Sequence, residues 1–388
     1  MIGILTLPMR HNYGGIIQAY ALQYFLERNG YDCLIINIQE LPPKFLSFHN
    51  LINILKRFIL RYILGKKNVF LSPKILYKKR IKNLNIIFKK NIDFINKYLK
   101  KTKPIMPITE INNINFNTYI VGSDQVWRPI YTPYLPHYFL DFVKNNNTIK
   151  IAYAASFGID NGREYKPDML AKCQELIKNF NAVSVREDSG VKLCRELFGV
   201  NAIHVIDPAL LLNSEDYIKL FSKCDDLEYN CGIFSYILDN SEIKDNIIEK
   251  ISNITNLKYF QILPKAKLGV VGEKRISECV VPSIEQWLKS FYDAKFVVAD
   301  SFHGCVFSII FKKNFIVIGN CERGMARFSS LLKLFKLQKR LVSSVEDVTE
   351  ELVNENINYA EIYEILEKER DKAKQFLFSA LNNELNNS

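Results

Sequence analysis

Apolar and polar positions along the chain fall into blocks that repeat one plan: a short apolar strand, a polar junction, then an amphipathic stretch. The first forty residues set it out. An apolar run from Ile2 to Leu7 meets a polar turn of His11, Asn12, Tyr13, Gly14 and Gly15; a helical stretch from Ile16 to Asn29 follows, closed by Gly30, and then a strand from Cys33 to Ile38. This is the βαβ opening of a parallel sheet. Three further strands end in small or polar residues: Tyr119 to Val121 before Gly122-Ser123-Asp124-Gln125-Val126-Trp127, Ile149 to Tyr153 before Ala154-Ala155-Ser156-Phe157-Gly158, and Ala182 to Val185 before Arg186-Glu187-Asp188-Ser189-Gly190. Their tips predict one rim of a single sheet. The element Asp207-Pro208-Ala209-Leu210-Leu211-Leu212 interrupts the plan, which restarts with strands near Cys231 to Tyr236, Tyr259 to Leu263, Phe296 to Ala299 and Phe315 to Ile318. A charged helix follows from about Ala360 to Leu381. The pattern predicts an α/β protein of two Rossmann-like domains, residues 1–204 and 205–345, with a helical segment 346–388 crossing back onto the first.

Residues 44–103 break this rhythm. Leu51, Ile54, Leu55, Phe58, Ile59 and Tyr62 share one helical face, and Ile81, Leu84, Phe88, Ile92, Ile95 and Leu99 repeat at three- and four-residue spacing, which predicts two amphipathic helices joined around Gly65 to Pro73. The net charge of +11 becomes informative here: the segment holds 17 Lys or Arg against one acid, Asp93, so the rest of the chain is neutral to acidic. No zinc-finger, RNP or helix-turn-helix signature accompanies the patch, and no nucleic-acid partner is expected. At 388 residues, 48% hydrophobic and 24% charged, the chain is globular. It has no apolar run of the roughly 20 residues that span a bilayer, and its start reads as a buried strand, so a cytoplasmic location is expected. Eight scattered cysteines show no metal-ligand spacing, and no metal site is expected.

The candidate chemistry sits at strand tips, where open α/β sheets bind ligands. His303, one of five histidines, lies in Asp300-Ser301-Phe302-His303-Gly304, between a strand and an apolar helical stretch, where it can give or take a proton near neutral pH. Arg186 follows a strand directly and suits an anionic ligand or, equally, a surface ion pair with Glu187. Arg323 and Arg327 flank Gly324 after the next strand and could clamp a phosphate or carboxylate, or lie in a solvated loop. Asp124, with Gln125 and Trp127, could orient sugar hydroxyls or take a proton, the indole stacking on a pyranose; a turn Asp and a core Trp are the alternative. Asn12, Tyr13, Gly14 and Gly15 form a turn whose free N–H groups could cradle an anion, or a plain strand-helix turn that explains the glycines equally well. There is no GxGxxG after a strand and no Walker A motif.

Taken in order, these segments resemble the polysaccharide pyruvyl transferase family. The match runs from Asn12-Tyr13-Gly14-Gly15 and Gln18-Ala19-Tyr20-Ala21-Leu22 through Gly122 to Trp127, Tyr153 to Gly158, Ser184 to Gly190 and Asp207-Pro208 to Ser301-Phe302-His303-Gly304, over about residues 1–330. The resemblance implies two domains arranged as in GT-B glycosyltransferases, with the site in the cleft between them. It also implies transfer of a pyruvyl group from phosphoenolpyruvate to two hydroxyls of a sugar as a cyclic ketal, with no cofactor besides that co-substrate. His303 would be the acid or hold the phosphate, and Asp124 would position the acceptor or take its proton. Arg186, Arg323, Arg327, Ser301, Asn12, Gly14 and Gly15 would meet the donor, and Gln125, Trp127 and Ser156 the acceptor. Many relatives carry arginine two residues before the histidine, where this chain has Ser301, so either Arg323 or another cation serves there or donor use has changed. In bacterial capsule and exopolysaccharide pathways the acceptor is often linked to a polyprenyl diphosphate. The basic segment 44–103 would then lie on the anionic inner face of the plasma membrane, or pack as a structural insertion. Two rivals stand beside this reading: a GT-B glycosyltransferase using a nucleotide sugar, with Glu322 the one acid placed for a ribose, and a sugar-binding protein without catalysis.

Overall fold

The computed structural model describes residues 1–38, 73–105, 108, 111, 114, 116–132, 134–145, 147–224, 227–319 and 324–382. The first predicted basic helix, Arg323 and Glu322 lie outside these residues.

Two parallel sheets organise the chain. The first contains β1 (Ile2–Leu5), β2 (Cys33–Ile35), β3 (Thr118–Val121), β4 (Ile149–Ala155), β5 (Ala182–Val185) and β6 (Ile203–His204) in the order β2-β1-β3-β4-β5-β6. The second contains β7 (Ile233–Tyr236), β8 (Tyr259–Phe260), β9 (Phe296–Ala299), β10 (Asn314–Ile318) and β11 (Leu341–Val342) in the order β11-β10-β9-β7-β8. Every pairing is parallel. Both halves therefore wind alike: the first strand is flanked by the second on one side and the third on the other. In each, the direction of winding reverses between the first and third strands, β1 and β3 in one half, β7 and β9 in the other. Such switch points open crevices at the carboxyl ends of strands.

Period-two alternation sorts the strand residues into layers. Ile2, Ile4, Ile120, Ile151 and Tyr153 of the first sheet, and Val297, Ala299, Phe315 and Val317 of the second, enter one continuous core between the sheets. Leu5, Val121 and Ala152 face a core behind the first sheet, and Phe296, Val298, Ile316 and Ile318 one behind the second. The shared core fixes the halves against each other: two Rossmann-like halves facing a cleft, the GT-B-like arrangement.

Helices fill the layers. They are α1 (Tyr13–Arg28), α2 (Pro73–Ile87), α3 (Lys89–Tyr98), α4 (Pro167–Ile177), α5 (Asp188–Phe198), α6 (Ser214–Phe221), α7 (Glu242–Thr255), α8 (Ile284–Asp293), α9 (Phe302–Ile310), α10 (Ala326–Leu334) and α11 (Tyr359–Leu381), with shorter turns between. α1 begins at Tyr13, three residues before the expected Ile16, so Gly14 and Gly15 belong to its first turn rather than to a preceding loop. The expected second basic helix is broken at Phe88 (φ −100°, ψ 22°) into α2 and α3. Asn91 of α3 donates to Arg10 O at 3.0 Å, and Phe94 meets the ring of Tyr20 at 6.0 Å, so the insertion packs on the first half. α11 touches both halves: Phe378 stacks on Phe25 at 6.0 Å, the buried Arg370 donates to the carbonyls of Leu210 (2.7 Å) and Leu212 (2.6 Å), and Tyr363 donates to Ile310 O at 2.8 Å. No helix among the described residues is long and apolar enough to cross a membrane.

Candidate functional site

The two switch points meet. Asn12 caps α1 in extended geometry, and the first turn of that helix is anchored by Gln18, which donates to Thr6 Oγ1 (3.0 Å) and Gly15 O (2.9 Å) and accepts from Ser123 N (3.1 Å). This ties the end of β1 to the end of β3 and sets Asn12 Nδ2 at 3.3 Å from Asp124 Oδ2. From the other half, β9 ends at Ala299, Ser301 takes the N-cap position of α9, and His303 lies in its first turn. The imidazole reaches across to α1: a Cβ on Gly14 would stand 2.0 Å from His303 Nδ1, so only glycine admits the ring there. The halves also close at Gly324, whose φ of +95° is left-handed and whose added Cβ would strike Gly158 O at 1.7 Å.

Arg186 is the hub. It is 3% exposed, with Nη1 donating to Asp207 Oδ2 at 2.7 Å, Nη2 to Asp124 Oδ1 at 3.3 Å, and its guanidinium 4.3 Å from the centre of the Phe302 ring. The ion pair with Glu187 considered from sequence is not formed; Glu187 Oε1 instead accepts from Ser156 Oγ (3.1 Å) and the N–H groups of Phe157 (2.6 Å) and Gly158 (3.0 Å). A guanidinium has five N–H donors, and two here are engaged. Its buried Nε has no hydrogen-bond partner among the described residues, and neither has the buried His303 Nε2, which stands 3.7 Å from Asp207 Oδ2. Arg327, on α10, brings a second buried guanidinium over Phe302 at 5.8 Å.

The charges shift one another. Burial alone would raise the Asp207 carboxyl, but the His303 imidazole and the Arg186 guanidinium outweigh it and hold the group well below the usual carboxylate range. Burial opposes the charge of Arg186, and the carboxylates of Asp207, Asp124 and Glu187 more than restore it. Arg327 is pushed down to about 10, first by burial and then by the charge of Arg186, while Asp124 and Glu187 pull the other way. Two guanidiniums close enough to disfavour each other make a site that gains from an anion.

The cleft thus brings together His303, Asp124, Arg186, Arg327, Ser301, Asn12, Gly14 and Gly15. Ser301 makes no side-chain cap to its helix. Three expected acceptor contacts require correction. Trp127 is fully buried, stacked on Phe139 at 5.0 Å with Nε1 donating to Tyr138 O at 3.0 Å, so neither face of the indole is open to a sugar. Ser156 is buried and spends its hydroxyl on Glu187, and Gln125 Oε1 accepts from Arg128 Nη1 at 3.1 Å. The residue that sequence reasoning left out of the site is Asp207. Its Oδ1 accepts from Ala209 N at 2.9 Å, the capping role an Asp-Pro pair suggests, while Oδ2, also 3.3 Å from Ser123 Oγ, serves the cleft. Nothing in the sequence distinguishes that second use.

Solved structures similar to this chain include the N-terminal domain of Candida albicans trehalose-6-phosphate phosphatase (10% identity, TM-score 0.49, 98% of each chain covered). Others are the UDP-GlcNAc 2-epimerase of Methanocaldococcus jannaschii (12%, 0.49, 95% of this chain and 99% of that one) and Os79 from O. sativa in complex with UDP (10%, 0.44, 98% and 100%). At this distance the likeness says nothing of substrate. No curated protein matches the sequence significantly. The family model for polysaccharide pyruvyl transferase matches residues 12–322, from the cap of α1 to beyond β10, a range that takes in the cleft residues Asn12, Asp124, Arg186, Asp207 and His303. With most of its length matched, the chain belongs to the polysaccharide pyruvyl transferase family.

Proposed function

We propose that this transferase moves the pyruvyl group of phosphoenolpyruvate onto two hydroxyls of a sugar in a capsule or exopolysaccharide precursor, forming a cyclic ketal and releasing phosphate. The observation that carries the reading is the convergence, in one buried cleft, of Arg186 Nε and His303 Nε2, both without hydrogen-bond partners among the described residues, with the second guanidinium of Arg327 nearby. Phosphoenolpyruvate presents a phosphate and a carboxylate, and two arginines match two anionic groups. Arg327 supplies the charge that many relatives carry at the position of Ser301. The N-terminal turns of α1 and α9, at Gly14, Gly15 and Ser301, add N–H groups and favourable dipoles.

The chemistry follows from those positions. His303 gives a proton to the methylene carbon, C2 becomes cationic, and one sugar hydroxyl adds there. The C2–O bond to phosphate then breaks, the second hydroxyl closes the ketal, and Asp124 takes a hydroxyl proton. Of the two hydroxyl protons lost, one balances the new methyl group and the other leaves with phosphate. Phosphoenolpyruvate is a co-substrate, and no resident cofactor enters. The acceptor in this reading is linked to a polyprenyl diphosphate, and the protein works from the cytoplasmic side as a peripheral protein, with the basic segment 44–103 toward the anionic inner leaflet.

Arg327→Ala tests the donor assignment. Losing one charge-assisted contact worth about 1.5–3 kcal/mol should raise the KM for phosphoenolpyruvate roughly 10- to 100-fold and leave the acceptor KM unchanged, read by phosphate release. An unchanged donor KM would remove Arg327 from the donor site.

A further inference from the structure

The basic insertion and the second half share one outer surface. α2 rests on the segment that follows β8: Lys79 Nζ pairs with Glu273 Oε2 at 2.6 Å, Asn83 Nδ2 donates to Glu273 Oε1 at 3.0 Å, and Val281 N donates to Ile87 O at 2.9 Å. A groove of about 370 Å³ runs along the seam, with Leu76, Leu84 and Ile87 on one side and Leu268 on the other. Arg80 lines the groove, and on the segments that meet at the seam Lys78, Arg80 and Lys82 of α2, Lys89 and Lys90 of α3, and Lys265, Lys267 and Lys274 of the second half are all exposed. Of the acids of the same stretch, Glu273 pairs with Lys79 and Glu278 with Arg275 at 2.6 Å, and Asp93 of α3 is exposed.

Three aliphatic side chains stand out of this basic field: Ile75 at 51% exposure, Leu263 at 59% and Val270 at 82%. A surface built for a nucleic acid would pair its cations with aromatic platforms or base-reading polar groups; aliphatic side chains set among lysines match the boundary between lipid headgroups and acyl chains. We propose that this surface, made by α2, α3 and residues 262–275 of the opposite half, docks on an anionic phospholipid bilayer. Ile75, Leu263 and Val270 enter the headgroup layer, and the lysines and arginines face lipid phosphates. For its purpose, bringing the cleft to a carrier-linked sugar, the inference rests on the pyruvyl transfer reading. It adds that the second half supplies much of the contact, so lipid binding bears on both walls of the cleft.

Vesicle flotation of the full-length protein tests it, using phosphatidylcholine alone and phosphatidylcholine mixed with phosphatidylglycerol. The protein should float only with the mixed vesicles, at low salt, and leave them at high salt. Leu263→Glu with Val270→Glu should cut the bound fraction about tenfold or more while leaving turnover of a water-soluble acceptor as in the parent. Absence of flotation at low salt overturns the inference, as does equal flotation of the double variant. Release from vesicles by single-stranded nucleic acid, with tight retention on that polymer, also overturns it in favour of a polyanion site. A protein that floats but makes no ketal from phosphoenolpyruvate keeps the lipid surface and loses the transfer reading; one that turns over but does not float does the reverse.

Discussion

The His303→Gln protein should fold as the parent does and turn over about 10² to 10⁴ times more slowly, the scale of a lost general acid, with the KM for phosphoenolpyruvate much less affected. The imidazole projects from the first turn of α9 across to α1, where Gly14 leaves room for the ring. Its Nε2 is buried and has no hydrogen-bond partner among the described residues, so truncation to an amide removes a proton donor without opening a large cavity. Steady-state kinetics with a phosphate-release readout and circular dichroism of the variant separate lost chemistry from lost fold. Near-parental kcat would remove His303 from the chemistry.

Asp207→Asn should have the second large effect, on stability as well as on rate. The asparagine keeps an oxygen for Ala209 N but gives up the charge that Arg186 meets at 2.7 Å. Breaking one side of a buried ion pair costs about 3–5 kcal/mol, and the loss should show at neutral pH in urea denaturation. The pH dependence has a definite sign. The Asp207 carboxyl is held below its ordinary value in the folded protein, so its contribution is fully present above the unfolded pKa of about 4 and is lost as pH falls toward the lower folded value. The stability gap between parent and variant should therefore be widest at neutral pH and narrow below about 4. A gap independent of pH would show that Asp207 acts through packing rather than charge. Turnover should fall too, because Asp207 positions Arg186 directly and faces His303 across 3.7 Å.

The alternation of apolar strands with polar tips was enough to read the two parallel sheets, because strands buried on both sides are near-continuous apolar runs. β6 and β11, each a two-residue edge strand, were not read from the sequence, whereas the equally short β8 was read as part of a longer run, Tyr259 to Leu263. α1 starts early because glycines in a first helical turn look like a loop when only propensity is read. At the site, His303 and Arg186 were legible from their places after β9 and β5. Trp127 was misread because a strand tip does not announce which side of its loop turns inward, and here the indole goes to the core behind the first sheet. Asp207 was legible only as part of the segment between the two halves, since the partner of its second oxygen comes from a strand end twenty-one residues earlier.

The central claim is tested most directly by incubating the protein with phosphoenolpyruvate and a polyprenyl-diphosphate-linked oligosaccharide, then measuring phosphate and the product mass together. One phosphate should appear for each acceptor that gains the mass of pyruvate less water, the signature of a ketal on two hydroxyls. Phosphate without that gain, or conversion of the acceptor by a nucleotide sugar instead, would contradict it.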